Sequence, residues 1–384
     1  MSDRLKVMTI VGTRPEVIRL SRVMAKLDRY TRHVLVHTGQ NYDYELNEIF
    51  FAEMGLRRPD FFLEAVGASV AETIGNFIAR VDPVLARERP DAVLVLGDTN
   101  SCLAAIAAKR RKIPIFHMEA GNRCFDERVP EEANRRLIDH LSDINMPYSD
   151  IAREHLLREG IAPDRVIKTG SPMYEVLHHY RTQIDASDIL GRLGLTAGGY
   201  FVVSCHREEN LDSPANLAQL VEVFNGLAAR YRERVIVSTH PRTRKSLEAA
   251  GAVLAPLVEL MKPLGFPDYI QLQCSARAVL SDSGTITEES SILNFPALNI
   301  RDAHERPEGM EEGAVMFTGL SPVRVFQAMT ILADQPRGMV RLLRPVSDYG
   351  MPNVSDKVVR LILSYTDYVN QVVWRKEKLQ SGTG

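Results

Sequence analysis

The fold is first indicated by residues 7–16, whose sequence is Val-Met-Thr-Ile-Val-Gly-Thr-Arg-Pro-Glu. The first five residues predict a buried β-strand, because a short, largely apolar run of this kind is typical of a strand covered on both faces. Gly12 permits a sharp turn, and Pro15 favours the first turn of an α-helix. This stretch therefore predicts a strand that leads directly into a helix, which is the repeating unit of an α/β protein.

The same alternation of short apolar strands and helical stretches continues along the chain. Further strands are predicted at 34–37, 92–96, 113–117 and 166–169, with helices at 69–88, 101–111 and 131–142. After a polar stretch at 182–199, a second series has strands at 200–203, 235–237, 278–280 and 297–300, and helices at 214–230, 242–250, 286–294, 322–334 and 355–379. The repeated order of strand and helix predicts parallel sheets with helices on both faces.

Length and pattern together predict two domains. A chain of 384 residues exceeds one ordinary hydrophobic core. We expect an N-terminal Rossmann-like domain at 1–181, a C-terminal Rossmann-like domain at 182–354 and a terminal segment at 355–384. Doubly wound sheets bind ligands at the carboxyl ends of their strands, so two such sheets predict a ligand site in a cleft between the domains.

Composition excludes several functional classes. Charged residues make up 25% of the chain and the formal net charge is -2, which does not suit a nucleic-acid binder with a basic face. The four cysteines form no Cys-x-x-Cys pair, so a zinc site is not indicated and reduced thiols are the simpler interpretation. The apolar run at 7–11 is too short for a secretion signal or a membrane span. We expect a cytoplasmic protein with neither nucleic-acid nor membrane partners.

Polar stretches follow six of the predicted strands directly. They are Gly12-Thr-Arg-Pro-Glu16, Gly97-Asp-Thr99, Glu119-Ala-Gly-Asn-Arg123, His206-Arg-Glu-Glu-Asn210, Thr239-His-Pro241 and Asp282-Ser-Gly-Thr285. The sequence contains neither a Gly-x-Gly-x-x-Gly fingerprint nor a Walker motif, so a nicotinamide dinucleotide site or a P-loop is not indicated.

Three acids are candidates for proton transfer in the first domain. Asp98 either caps the helix that follows it or lies at a functional strand end. Glu119 ends an apolar strand, where an acid has no obvious structural task. Glu131 lies in a first helical turn, four residues before Arg135, so an ion pair is the alternative interpretation. Acids gathered at one sheet edge are typical of a site for proton transfer.

Other strand ends favour anion binding. Gly12 and Arg14 combine a turn, a helix N-terminus and a cation, although they also suit a plain turn with a surface arginine. Backbone amides near Ser283 and Gly284 suit a pyrophosphate at a helix N-terminus. His206 adds a titratable group at another strand end. These residues predict a nucleotide-sugar enzyme but leave a glycosyltransferase and an epimerase both open.

The ordered set of motifs resembles the non-hydrolysing UDP-N-acetylglucosamine 2-epimerases. The set includes the stretches above that begin at Gly12, Gly97, His206, Thr239 and Asp282. It also includes His117-Met-Glu-Ala-Gly121, which contains Glu119, and the stretches Pro130-Glu-Glu-Ala-Asn-Arg135 and Glu305-Arg-Pro-Glu308. The resemblance implies a GT-B-like fold with a C-terminal helix packed back on the first domain. It also implies an isomerase that works as a homodimer on a UDP-sugar, with no cofactor and no metal.

The resemblance assigns a role to each site residue. It implies that UDP is eliminated from C1–C2 to leave a 2-acetamidoglycal, which takes UDP back after a proton reaches the opposite face of C2. The implied catalytic residues are Asp98, Glu119, Glu131, Arg135 and His206. The implied substrate-binding residues are Arg14, Arg19, Gln40, His240, Tyr269, Ser283, Gly284, Glu289 and Arg306.

Departures from the common pattern indicate one branch of the family. Arg19 replaces the usual lysine, the second-domain motif reads His206-Arg-Glu-Glu-Asn210, and the stretch from Glu119 to Glu131 is short. These features resemble enzymes that convert UDP-2-acetamido-2,6-dideoxy-L-talose to UDP-N-acetyl-L-fucosamine for capsule or O-antigen synthesis. The alternatives are epimerisation of UDP-N-acetylglucosamine to UDP-N-acetylmannosamine, a GT-B glycosyltransferase, a hydrolysing epimerase and a non-catalytic nucleotide-sugar binder.

Overall fold

A computed structural model describes residues 4–39, 50–211, 213–239 and 241–376 of the chain. The protein divides into two units, the first comprising residues 1–176 with 351–384 and the second residues 177–350. The polar stretch at 182–199, where the sequence placed the boundary, belongs to the second unit. Ile184 and Ile189 are buried there, and the Ser187 hydroxyl donates a hydrogen bond to Asp268 at 2.5 Å. Burial of these two side chains explains why a stretch that reads as a linker is part of a folded unit.

Strands and helices alternate along the described chain. The strands are β1 (Lys6–Val11), β2 (Arg32–His37), β3 (Phe61–Phe62), β4 (Ala92–Leu96), β5 (Ile115–Met118), β6 (Ile144–Met146), β7 (Tyr200–Ser204), β8 (Arg234–Ser238), β9 (Val258–Met261), β10 (Ala278–Ser281), β11 (Ala297–Asn299) and β12 (Met316–Phe317). The helices are α1 (Arg14–Tyr30), α2 (Val70–Glu88), α3 (Ala105–Arg110), α4 (Pro130–Leu141), α5 (Asp150–Arg158), α6 (Met173–His179), α7 (Arg181–Asp185), α8 (Ile189–Leu193), α9 (Glu208–Leu211), α10 (Pro214–Tyr231), α11 (Pro241–Ala249), α12 (Phe266–Ser275), α13 (Thr285–Leu293), α14 (Pro307–Glu311), α15 (Pro322–Leu332) and α16 (Val354–Val372).

The first unit contains a parallel sheet in the order β3-β2-β1-β4-β5-β6 among its described strands. Val7 of β1 pairs with Ala92 of β4, and Val93 of β4 pairs with Ile115 of β5. Strands β1, β4 and β5 are almost wholly buried, as strands covered by helices on both faces must be. Because these strands run parallel, the residues that follow them lie at one edge of the sheet.

Helix α16 at the end of the described chain also belongs to the first unit. Its apolar side chains Val358, Ile362 and Val369 are buried, which accounts for its attachment. It packs against α1, and Lys26 of α1 lies 2.8 Å from Asp356. That ion pair is partly exposed, so it contributes less to stability than the buried apolar face does.

The second unit repeats this architecture in its described residues, with a parallel sheet in the order β12-β11-β10-β7-β8-β9. Phe201 and Val203 lie on one face of β7 with the core formed by α10, and Tyr200 and Val202 lie in the core on the other face. Burial on both faces again explains the near-continuous apolar runs in the sequence. The predicted α/β class with two doubly wound sheets is confirmed.

Several short elements differ from the sequence predictions. The predicted strand at 166–169 is wrong, since Val166 makes only an isolated bridge with Asn145. The predicted helix at 101–111 begins as a 3₁₀ segment, Asn100–Ala104, before α3. Strands β3, β6, β9 and β12, which were missed, are the two- to four-residue edge strands of the two sheets.

Among the described helices, none is both long enough and apolar enough to span a membrane.

A close approach between the turn after β5 and α5 requires glycine at position 121. Gly121 has a φ of +83°, and a Cβ built on it would lie 2.2 Å from the Ala152 carbonyl oxygen. Gly160 has a similar φ of +88° but nothing within 4 Å of its built Cβ. Alanine at position 160 would therefore introduce only backbone strain, whereas alanine at position 121 would add steric overlap with α5.

We expect Gly160→Ala to lower the free energy of unfolding by about 1–2 kcal/mol, the cost of a left-handed conformation. Gly121→Ala should cost about 1–3 kcal/mol more, because the α5 backbone must move. Urea unfolding of the two variants measures the difference. Equal losses would show that the α5 backbone tolerates the added methyl group.

Candidate active site

Two predicted site residues, Asp98 after β4 and Arg135 on α4, pair with each other. The Arg135 Nε atom donates to Asp98 Oδ2 at 2.7 Å, and Arg135 Nη1 donates to Glu132 Oε2 at 2.8 Å. Arg135 is almost fully buried and Asp98 is partly exposed. The arginine is therefore held between a buried carboxylate and one that reaches solvent. Asp98 does not cap the following helical segment, because Thr99 occupies the N-cap position.

Glu119 lies beside the same strand ends. Its Oε2 atom accepts a hydrogen bond from Arg19 Nη1, and both side chains are buried. Glu119 has a φ of +66°, an uncommon conformation for a residue other than glycine. A Cβ built on Gly97 would lie 3.9 Å from Glu119 Oε2, so this carboxylate lies next to the residue that precedes Asp98. Local backbone strain of this type is typical of functional sites.

Glu131 and Arg14 are positioned by the starts of their helices. Glu131 lies half-buried in the first turn of α4, directly before Glu132. Arg14 is half-buried at the start of α1, and its guanidinium lies 4.7 Å from the centre of the Phe50 ring. Asp98, Glu119 and Glu131, the three acids predicted for proton transfer, therefore lie in the first unit together with Arg14, Arg19 and Arg135.

The predicted anion site at the start of α1 is already engaged by a side chain. Glu16 Oε2 accepts hydrogen bonds from the amides of Gly12 and Thr13 at 2.6 and 2.7 Å, and the Thr99 hydroxyl donates to Glu16 Oε1 at 2.5 Å. Burial raises the pKa of Glu16, although these hydrogen bonds oppose the shift. An external anion at this turn would compete with Glu16 for the two amides.

The buried acid Glu132 fixes the loop that follows Glu119. Its carboxylate accepts hydrogen bonds from the backbone amides of Cys124 and Phe125 at 3.0 and 3.3 Å. It also accepts one from the Arg135 guanidinium. Burial alone would raise the pKa of Glu132, but the Cys124 amide and Arg135 lower it below its ordinary value. Glu132 therefore remains an anion that joins this loop to the Asp98–Arg135 pair.

In the second unit, Asp282 organises the predicted residue His206. Its Oδ2 atom accepts hydrogen bonds from the amides of His206 and Arg207, both at 2.9 Å, and from Asn210 Nδ2 at 3.2 Å. The His206 Nδ1 atom lies 3.0 Å from Asp282 Oδ1. Burial raises the pKa of Asp282, but His206 and the Arg207 amide outweigh it and hold the pKa far below its usual range.

The loop of Ser283 and Gly284 leads from β10 into α13 and is supported from behind. Arg306 Nε donates to the Gly284 carbonyl at 2.8 Å, and Arg306 Nη2 lies 3.3 Å from Glu288 Oε2. A Cβ built on Gly284 would lie 2.4 Å from Glu305 Oε1, so a side chain at position 284 would overlap the Glu305 carboxylate. Arg306 is almost fully buried, and its observed contacts make it a support for the loop.

The predicted residues Tyr269 on α12 and Glu289 on α13 are neighbours in the second unit. Gln273 Nε2 donates to Glu289 Oε2 at 3.0 Å. Burial and the charge of Glu289 raise the pKa of Tyr269, which lies one helical turn before Gln273. The predicted residues Gln40 and His240 lie outside the described part of the chain.

Four buried acids of these sites were not assigned as site residues from the sequence. They are Glu16, Glu132, Asp282 and Asp139, the last of which accepts hydrogen bonds from the Gly121 amide and Arg123. Asp282 directly follows β10, and Glu132 is next to Glu131, so proximity to assigned residues was the available signal. The carboxylates of Asp139 and Asp282 are hydrogen-bonded by residues at least 16 positions away along the chain. Those of Glu16 and Glu132 are also hydrogen-bonded by residues within eight positions.

Comparison with known proteins identifies the family. Residues 25–363 match the family model described as UDP-N-acetylglucosamine 2-epimerase. The chain belongs to this family. It is therefore an isomerase, as the motifs predicted. The UDP-N-acetylglucosamine 2-epimerase of Methanocaldococcus jannaschii is 32% identical over 374 residues, which are 95% of this chain and 100% of that protein.

Solved structures and a second relative extend the comparison. The structure of UDP-N-acetylglucosamine 2-epimerase from Rickettsia bellii matches with a TM-score of 0.91 and 51% identity, covering 97% of this chain and 100% of the other. The UDP-2,3-diacetamido-2,3-dideoxy-D-glucuronate 2-epimerase of Pseudomonas aeruginosa is 34% identical over 321 residues, covering 82% of this epimerase and 88% of that one. The fold of this epimerase is accordingly GT-B-like.

The pKa of Asp282 gives a pH-dependent stability. Because its folded-state pKa lies below the unfolded value of about 3.9, the carboxylate stabilises the fold fully above that pH and less as the pH falls below it. We expect Asp282→Asn to lower the free energy of unfolding by about 2–3 kcal/mol at pH 7, with a smaller deficit near pH 3. Thermal unfolding of the wild type and variant across pH 3–7 measures the deficit.

The exposed residue Asp334 supplies the control for this measurement. Asp334→Asn should show a small change in unfolding temperature at every pH. A deficit for Asp282→Asn that stays constant between pH 7 and pH 3 would contradict the assignment of Asp282 as a buried anion.

Proposed function

We propose that this epimerase inverts C2 of a UDP-N-acetylhexosamine through a 2-acetamidoglycal. A basic carboxylate removes the C2 proton as the C1–oxygen bond to UDP breaks, which forms the C1–C2 double bond. A second group then delivers a proton to the opposite face of C2 while the same UDP oxygen re-forms its bond to C1. The step balances without an oxidant or reductant.

The observation that carries this proposal is the arrangement of acids and arginines at one edge of the first sheet. Asp98 is held by Arg135 and Glu119 by Arg19, so two carboxylates have separate, fixed orientations. Inversion requires two proton-transfer groups because the two faces of C2 must be served separately. We assign these roles to Asp98 and Glu119, with Glu131 as the third acid of the set.

We assign the UDP group to the second unit. Departing UDP carries negative charge, which cations and backbone amides stabilise. The Ser283–Gly284 loop at the start of α13 supplies amides, and His206 is oriented by Asp282. Glu289 is assigned to the ribose hydroxyls, which a carboxylate can accept as hydrogen-bond donors.

For the sugar, we favour UDP-2-acetamido-2,6-dideoxy-L-talose, converted to UDP-N-acetyl-L-fucosamine for surface polysaccharide synthesis. This choice is supported by the short stretch between Glu119 and Glu131, which resembles that of the L-fucosamine branch. Glu132 holds this stretch beside the Asp98–Arg135 pair. The alternative substrate is UDP-N-acetylglucosamine, which appears in the names of the Methanocaldococcus jannaschii and Rickettsia bellii proteins. A homodimer is proposed on the family resemblance alone, and a cytoplasmic location on the cysteine pattern, which indicates reduced thiols.

The substrate is tested by proton NMR of the purified enzyme in D2O with each UDP-sugar separately. We expect deuterium at C2 and the inverted product with the L-talo substrate only, because re-protonation draws on solvent. Exchange with UDP-N-acetylglucosamine alone would support the alternative. Exchange with neither sugar would contradict the proposed reaction. A glycosyltransferase would require an acceptor for turnover, and a hydrolysing epimerase would accumulate free UDP.

The acids are tested by Asp98→Asn and Glu119→Gln. Each should lower kcat at least about 10³-fold, because an amide cannot take up or deliver the proton. UDP binding, measured by calorimetry, should change less than about threefold because these residues are not assigned to UDP. The control is Glu127→Gln in the same loop, whose side chain is 68% exposed. Retention of kcat within tenfold by both acid variants would overturn the assigned roles.

A further inference from the structure

The buried residue His117 contacts the backbone directly before Asp98. It lies on β5, and its Nε2 atom is 3.0 Å from the Gly97 carbonyl oxygen. A carbonyl oxygen can only accept a hydrogen bond, so Nε2 is the donor. The Gly97 amide donates to the Met118 carbonyl at 3.0 Å. The residue before Asp98 is thus held through both its amide and its carbonyl by two successive residues of β5.

The other nitrogen of His117 meets a buried carboxylate on α4. Its Nδ1 atom lies 3.0 Å from Asp139 Oδ1, and both side chains are almost inaccessible to solvent. Both ring nitrogens of His117 therefore face acceptor oxygens, the Gly97 carbonyl at Nε2 and the Asp139 carboxylate at Nδ1.

The same carboxylate reaches the loop after Glu119. Both Asp139 oxygens accept from the Gly121 amide at 3.2 Å, and Asp139 Oδ2 accepts from Arg123 Nη1 at 2.7 Å. Arg123 also forms two hydrogen bonds with Glu159, at 2.8 and 2.6 Å. Asp139 is therefore an ion-paired anchor shared by the backbones that carry Asp98 and Glu119.

We propose that His117 and Asp139 are positioning residues that set the relative placement of the two proton-transfer acids. This inference rests on the proposed epimerase reaction, because it assigns Asp98 and Glu119 to the two faces of C2. Neither residue is assigned a contact with the substrate. They act by holding the Gly97 carbonyl and the Gly121 amide, since a displacement of about 1 Å at a reacting group can cost about 10²-fold in rate.

A matched pair of substitutions at position 117 separates the two hydrogen bonds. The amide nitrogen of glutamine can replace Nε2 of histidine, whereas that of asparagine can replace Nδ1. We expect His117→Gln to keep the donor to Gly97 and to retain kcat within about fivefold. His117→Asn should lose that donor and lower kcat about 10²-fold, with KM changed less than about twofold.

A second variant tests Asp139 with the histidine in place. Asp139→Asn removes the charge that faces Nδ1 of His117 and leaves a single oxygen to accept from the Gly121 amide and Arg123. Nε2 can still donate to the Gly97 carbonyl, but His117 and the loop after Glu119 lose the anion that both contact. We expect a loss in kcat of about 10²-fold, similar to that of His117→Asn. If His117→Asn does not fold, the kcat of Asp139→Asn decides the proposal.

His33 of β2 supplies the control for general destabilisation. Its side chain is also buried in the first unit, with Nδ1 2.6 Å from Asp28 and Nε2 2.9 Å from Thr9. His33→Asn and His33→Gln should lower the unfolding temperature while kcat stays within twofold. Steady-state kinetics on the UDP-sugar that the wild type turns over, with thermal unfolding of each variant, provides the comparison.

The outcomes distinguish the two proposals. Absence of turnover by the wild type with either UDP-sugar would overturn the proposed reaction before any variant is compared. With an active wild type, equal losses for His117→Asn and His117→Gln would overturn the positioning role, as would retention of kcat within fivefold by His117→Asn. Losses in kcat that follow unfolding temperature in the His33 variants as well would also overturn it.

Discussion

The parallel pairing of β1, β4 and β5 is the constraint on which the first unit depends. It brings the residues that follow these strands to one sheet edge, and three carboxylates, Glu16, Asp98 and Glu119, come with them. Carboxylates crowded at a partly buried edge repel one another and lose hydration. Each is offset by donors from another element: Glu16 by Thr99, Asp98 by Arg135 and Glu119 by Arg19.

Helix α4 supplies much of this support from one face. Glu132, Arg135 and Asp139 follow one another at spacings of three and four residues, so they share a helix face. Arg135 reaches the side chain of Asp98, and Asp139 reaches the Gly121 amide. A single rigid helix is thus hydrogen-bonded to the ends of two strands. Groups that transfer protons need such fixed geometry, because their rates fall steeply with displacement.

The second unit applies the same principle with a different balance of charge. Asp282 at the end of β10 is satisfied mainly by amides and by His206. Arg306 faces the Gly284 carbonyl from behind the loop. The polar groups at these strand ends therefore combine donors with an oriented histidine, which suits an anionic ligand. In the first unit, the strand ends instead carry acids, which suit proton transfer.

The sequence by itself determined the order of strands and helices, the α/β class and the family, because apolar periodicity and strand-end motifs are local properties of the chain. It also placed most candidate site residues at the strand ends. Only the tertiary structure decided how they pair: Arg19 with Glu119, Arg135 with Asp98, and His206 with Asp282. The reason is physical, since a buried charge takes whichever donor the packing brings within reach, and that donor can come from a helix or strand many residues away.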